Sequence, residues 1–356
     1  MQEQRLWPMM ICGAAAMRAV TRIGDEERPL RNPLPPGEGR VRVCERLDFG
    51  RTKRPNPHPV PLPEGEGELH RAGGSIVAVF ARSFYLADAA GGLACIGPVG
   101  LGSGPLNVLC DLPRDLDWQA RGLRPGQTAR YRGEVLRIDG IGAFSFANAV
   151  AWRPPPSSAW NAATLARGLA ALAAATEDCD AGGFAPLVAA MARGRMCEVA
   201  TCAIASPLLR LAAPGIAALA DWLAAPGKDA PPGEAAAILI GLGPGLTPSG
   251  DDLVGGAMIA LHALGRADVA ARLAAWALPL AETRTGTISR AHLACAAAGE
   301  GSASLHDLLA GLLTADAAAI AAAVTALAAI GHSSGWDMLA GATLACAPLV
   351  CVGLSA

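Results

Sequence analysis

Ten cysteines occur in the 356 residues, at 12, 44, 95, 110, 179, 197, 202, 295, 346 and 351, yet no two form a CxxC pair. The CEVATC spacing of Cys197 and Cys202 matches no usual zinc-ligand pattern. A disulfide framework or structural zinc site is therefore not indicated, and the pattern reads as reduced, cytoplasmic thiols serving mostly as small buried hydrophobes. Charge of either sign is scarce: 17% of residues are charged, the net charge is −2, and the basic residues form no run. Nothing here draws the chain to nucleic acid or to an anionic membrane surface. GxSxG, HExxH, Walker A and Rossmann signatures are absent. Met1–Ala16 lacks the charge and length of a signal peptide. Met338–Ala356 is uncharged and about long enough to span a bilayer, but it carries Pro348 and no basic flank, which reads as a buried helix.

What is present is apolar material, 52% of the residues, in a chain long enough for two domains. Residues 1–72 read as a low-complexity extension rich in proline, glycine and charge, in which PLPPGEG (33–39) returns as PLPEGEG (61–67). Those units resemble translated intergenic repeats, so the working protein is expected to begin near Gly73. Residues 73–152 read as a small antiparallel β domain, a sheet or barrel. Strands are expected at Ser75–Ala81, Phe84–Asp88, Leu93–Gly97 and Leu106–Leu112. A hairpin is expected from Thr128–Ile138, a turn at Asp139–Gly140, and Ala143–Trp152. The glycine-rich Gly97–Pro105 reads as a plain loop, with backbone approach to a ligand as the alternative. Residues 153–158 (RPPPSS) form a linker, and the alanine-rich 159–356 reads as an all-α domain. The fold class expected is thus α+β.

One stretch organises the rest. Ile240–Gly256 reads IGLGPGLTPSGDDLVGG and runs into a helix pattern. Its echo, GHSSGWDMLAG (331–341), lies 85 positions on; Ser249–Leu261 and Ser334–Cys346 share six of thirteen residues. Ser249-x-x-Asp252 and Ser334-x-x-Asp337 both fit a capping box, which would account for all four residues without any function. Capping does not account for three glycines in five positions at 241–245. Such a run, including Gly243 and Gly245, can aim successive N–H groups at an anion beside a helix N-terminus, with Thr247 and Ser249 adding hydroxyls. Two adjacent carboxylates, Asp251 and Asp252, call for a donor or cation nearby. Either Mg²⁺ bridges them to an oxyanion, or they accept from an amide or ammonium-like group. Arg284, Thr285 and Ser289 lie in TRTGTIS, a hydroxyl-rich stretch that opens another helix and offers an arginine fork for an oxyanion. His332, Ser333 and Ser334 precede the second helix, with His332 placed to act as acid, base or donor. His262, His292 and His306 fall within helices and receive no role.

GLGPGLTPSGDDLVGG, TRTGTISRAHLACAAAGE (283–300) and GHSSGWDMLAG, in that order, resemble a bacterial family that includes a subunit of the oxamate carbamoyltransferase of allantoin catabolism. The resemblance covers about Gly73 to the C-terminus and excludes the repeats. It implies a cytoplasmic, multi-subunit enzyme that converts oxalurate and phosphate to oxamate and carbamoyl phosphate. It also implies a small anionic substrate and companion subunits as partners. On that reading Gly243, Gly245, Thr247, Ser249, Asp251, Arg284, Thr285, Ser289, Ser333 and Ser334 bind ligand, while His332, Asp252 and Asp337 are catalytic. The alternatives are a non-catalytic ligand-binding or scaffolding subunit, and a Mg²⁺-dependent hydrolase of a small anion using Asp251 and Asp252.

Overall fold

A computed structural model describes residues 6–25, 73–177, 179, 181–196, 206–225 and 230–351. It bears out the α+β class: a curled nine-stranded sheet is followed by a helical body. The strands are β1 (Leu6–Gly13), β2 (Gly74–Val79), β3 (Phe84–Ala87), β4 (Leu93–Pro98), β5 (Asn107–Cys110), β6 (Thr128–Arg132), β7 (Val135–Ile138), β8 (Gly142–Ser145) and β9 (Val150–Trp152). Their order is β5-β4-β3-β2-β6-β7-β8-β1-β9, and β1 also pairs with β5, which closes the sheet into a barrel. Closure covers the edge of β5 that an open sheet would leave and puts the short β9 at the end of the order. The sheet is not purely antiparallel, since β1 runs parallel to β8 and β9, and β4 runs parallel to β5.

The low-complexity reading of residues 1–72 fails for Leu6–Asp25. There β1 supplies the closing strand, and Trp7, Met9 and Cys12 are buried. Helix α1 (Ala14–Asp25) lays Ala16, Ala19, Val20 and Ile23 on the barrel. A chain starting at Gly73 would lack both elements. Trp7 stacks on Phe144 at 5.1 Å between ring centroids, and Trp118 meets Trp7 and Phe84 edge-on at 5.4 and 5.2 Å. Such contacts add about 0.5–1.5 kcal/mol per pair beyond area burial. The PLPxGEG repeats lie outside the described residues.

Two hairpins stand where one was expected. Gly133 (φ 54°) and Glu134 (φ 60°) turn the chain between β6 and β7, with Arg132 paired to Val135. Consecutive positive φ values make a two-residue turn whose twist suits the flanking strands. Gly97–Pro105 is a docking loop: the Ser103 carbonyl accepts the Ala303 N–H of the helical domain at 2.8 Å.

The helices are α2 (Ala162–Ala175), α3 (Ala185–Ala192), α4 (Pro207–Ala224), α5 (Ser249–Ala263), α6 (Ala267–Arg284), α7 (Thr287–Ala297), α8 (Ala303–Thr314), α9 (Ala317–Ala328) and α10 (Ser334–Cys346). A short turn at Gly233–Ala236 and a 3-10 turn at Ala237–Leu239 lead to the glycine loop. Helix α7 joins the domains: Ile288 and Cys295 pack with Leu93 and Leu106 of the barrel domain. Among the described helices α4 alone is long and apolar enough to cross a membrane, and its Leu209, Ala212, Ile216 and Leu219 are buried in the core. The apolar stretch after Met338 is core as far as Cys346, since α10 is buried along nearly its whole length. Burial pushes the thiols of Cys12, Cys295 and Cys346 up to about 12, and that of Cys95 to about 11, as for inert packing residues.

The centre of the helical body is the pair α5 and α10. A Cβ added at Gly256 would stand 2.0 Å from the Met338 carbonyl oxygen, and one at Gly341 would stand 1.8 Å from that of Leu253. Met338 is the 85-residue equivalent of Leu253, and Gly341 that of Gly256, so the contact is reciprocal. The swapped contacts make the pair two-fold, and the 2.9 Å approach of Thr247, just ahead of α5, to Ser334 at the start of α10 puts both N-termini at the same end, so the helices run parallel. Glycine is required at both crossings because only its missing Cβ lets the backbones approach so closely.

Candidate functional site

The glycine loop and the second motif converge. Thr247 Oγ1 and Ser334 Oγ are 2.9 Å apart, although 87 residues separate them in the chain. Gly241, Gly243 and Gly245 have φ of 79°, 122° and 94°, so each glycine takes a backbone conformation that other residues avoid. The capping-box account fails. Ser249 and Ser334 are the first helical residues rather than the N-caps, and neither Pro248 nor Ser333 makes a side-chain cap. Their hydroxyls turn toward the partner helix, Ser334 to Asp252 and Ser249 to Asp337.

The adjacent aspartates do different work. Asp251, 2% exposed, accepts the Gly241 N–H at 2.7 Å on Oδ1 and the Ser289 hydroxyl at 2.6 Å on Oδ2. Both oxygens are engaged, and the carboxylate ties the glycine loop to the start of α7. Asp252 has an Oδ2 that is buried and unpartnered. Burial holds its carboxyl well above the usual carboxylate range, the Ser334 hydroxyl pulls it back, and the charges of Asp337 and Asp251 push it up again. Asp337 is its equivalent on α10. Asp337 accepts the Phe184 N–H at 2.7 Å on Oδ1, while its Oδ2 is likewise buried and unpartnered. Burial raises it, against the Phe184 N–H and the hydroxyls of Ser249 and Ser333. The arrangement is crossed: each first-turn serine acts on the aspartate of the other helix.

Two helix N-termini side by side each contribute roughly half a positive charge, and both point the same way. The site thus has a donor-rich rim of Gly243, Gly245, Thr247, Ser249, Ser333 and Ser334 over an acceptor floor of Asp252 and Asp337. His332 is exposed and lies above the Gly182–Gly183 turn. Arg284 is exposed and donates from Nη1 to the Ala237 carbonyl at 2.6 Å, while its own carbonyl packs against Gly241. It braces the base of the loop. Thr285 follows with a buried, unpartnered Oγ1. Against a Mg²⁺ site at Asp251 and Asp252, each Asp251 oxygen already accepts a hydrogen bond. Among the described residues no group of three His, Cys, Asp or Glu side chains could hold a metal ion. A cleft of about 240 Å³ lies elsewhere, between linker residues 154–158 and His262, His306 and Leu309.

Several residues at the site were not singled out in the sequence. Gly182 and Gly183 (φ 74° and 55°) form a turn against Ser333 and Asp337 that delivers the Phe184 N–H; the double glycine was its one visible signal. Tyr85 of the barrel reaches His292 Nε2 at 3.4 Å, and the charge of Asp252 contributes to raising the Tyr85 hydroxyl, after burial and Cys95. Burial lowers His292 to about 4, so it is neutral near pH 7.

Residues 239–346 match the family of the oxamate carbamoyltransferase subunit AllH. The AllH match covers under a third of the chain. It begins at Leu239, beneath the glycine loop, and ends at Cys346, the last residue of α10. Both helix starts, Arg284 and Ser289 therefore fall inside the AllH-like segment, and the barrel falls outside it. No curated protein and no solved structure matches the chain.

Proposed function

We propose that this chain is a subunit of a cytoplasmic oxamate carbamoyltransferase-like assembly and that the α5–α10 site holds the small substrates of that reaction. The observation that carries the reading is the pairing of a donor rim with an acceptor floor. Oxamate, oxalurate and carbamoyl phosphate each bear an anionic end and an NH₂ group. The rim suits the anionic end through the glycine N–H groups, the two helix ends and the hydroxyls. The unpartnered oxygens of Asp252 and Asp337 suit the amide end, one as the acceptor of an NH₂ hydrogen and the other as an acid.

In the reaction, a phosphate oxygen attacks the ureido carbonyl of oxalurate. The bond from that carbonyl to the oxamate nitrogen breaks, and the nitrogen takes a proton as it leaves. Asp252, held protonated, is the donor in this scheme, and hydrogen phosphate returns the proton to it. His332 at the rim is the second proton-transfer group. Most of the acceleration would come from positioning and from stabilising developing charge, with no covalent nucleophile. Companion subunits complete the assembly.

The test is co-expression with the companion subunits and an assay for carbamoyl phosphate from oxalurate and phosphate. Turnover is expected, falling about 100-fold or more with Asp252→Asn, in line with the loss of one acid group. No turnover by the complete assembly rejects the reading. Turnover unchanged by both Asp252→Asn and His332→Ala would instead make this chain a scaffolding subunit.

A further inference from the structure

We propose that Asp252 and Asp337 hold one proton between them, and that this half-protonated pair reads a carboxamide edge: its O–H meets the amide carbonyl and its free carboxylate oxygen an amide N–H. The ligand half of this proposal rests on the functional reading above; the proton half does not.

One carboxyl oxygen of Asp252 and one of Asp337 are buried without a partner. Asp252 is 8% exposed and Asp337 is fully buried, and Oδ2 of each has no hydrogen-bond partner. They occupy equivalent places on parallel, closely packed helices, and the charge of one acts on the other. A buried acceptor left unmade costs about 1–3 kcal/mol, and two like charges in one buried site cannot both ionise cheaply. The groups acting on the pair are the hydroxyls of Thr247, Ser249, Ser333 and Ser334, the Phe184 N–H and the charge of Asp251, with the Tyr85 hydroxyl within electrostatic reach of Asp252. None of these is a cation. One proton resolves both difficulties, because it turns two acceptors into a donor and an acceptor.

A donor beside an acceptor is the complement of a primary amide, which presents an acceptor beside a donor. A carboxylate of the same shape presents two acceptors and leaves one of them facing an ionised oxygen. The pair therefore selects oxamate over oxalate. Buried groups left unpaired by the wrong ligand are the strongest source of such discrimination.

Infrared difference spectra of the full chain near pH 7 test the proton. The carboxylic acid C=O band should be lost in Asp252→Asn and equally in Asp337→Asn, and the double variant should lose no more than either. A loss twice as large in the double variant, or no loss in one of the single variants, overturns the shared proton. Calorimetry with oxamate and with oxalate tests the recognition: oxamate should bind at least about 10-fold tighter, and the preference should vanish in both variants. Oxalate binding as tightly as oxamate overturns the recognition. If the infrared pattern holds but the complete assembly produces no carbamoyl phosphate, the functional reading fails and the shared proton stands.

Discussion

Gly255 and Gly256 are neighbours on α5, yet the same substitution should move stability in opposite directions. A Cβ at Gly255 would lie 3.5 Å from Ala296 Cβ and 3.9 Å from Leu293 Cδ2, which is ordinary contact. Gly255→Ala should then gain the helix-propensity difference, up to about 1 kcal/mol. At Gly256 the added carbon would stand 2.0 Å from the Met338 carbonyl oxygen. Comfortable carbon–oxygen contact begins near 3.3 Å, so α5 and α10 would have to part by more than about 1 Å. The obstacle is backbone, which cannot rotate away. Overpacking of this kind costs at the upper end of about 1–3 kcal/mol, and the propensity gain offsets about 1 of it. The net loss is about 2 kcal/mol, and the two variants should differ by about 3 kcal/mol. Urea unfolding followed by tryptophan fluorescence, to which Trp336 on α10 contributes, measures both. Equal stability of the two variants would refute the close parallel crossing and, with it, the convergence of the helix ends.

Other outcomes follow from the same contacts. Because the folded state holds the Asp252 carboxyl above its unfolded value of about 3.9, the stability it contributes is fully present below that pH and is lost as pH rises through the folded value. Asp252→Asn should therefore gain stability relative to wild type as pH rises above about 4, as read from denaturant midpoints across pH; a difference between the two that does not change over that range would contradict the raised carboxyl. Ser289→Ala removes one of the two hydrogen bonds that satisfy Asp251, a buried charge, and should cost about 1.5–3 kcal/mol in the same assay. Deleting Leu6–Gly13 should abolish the cooperative unfolding of the barrel, since β1 joins β8 to β5; an intact transition would show that the sheet closes without it.

Much of the helical body was legible because its signals are local. Alanine content, the 85-residue echo and the glycine loop mark α5 and α10 without any knowledge of packing. The N-terminal strand was missed for the opposite reason. Its alternation of buried Trp7 and Met9 with exposed Met10 is short, and it adjoins a long proline- and charge-rich stretch that dominates the composition. The turn at Gly133–Glu134 was missed because a positive φ at a glutamate has no strong sequence mark.

The sequence by itself determined that two serine-led, aspartate-bearing helix starts exist and that glycines flank them. It could not say which carboxylate serves which purpose. Successive residues on a helix point about 100° apart, so Asp251 and Asp252 enter different surroundings, and only packing decides what those are. Tertiary structure gave Asp251 two donors and left Asp252 with an unpartnered oxygen beside Asp337. It also set Tyr85 against His292, and the Gly182–Gly183 turn against Asp337, contacts between residues far apart in the chain.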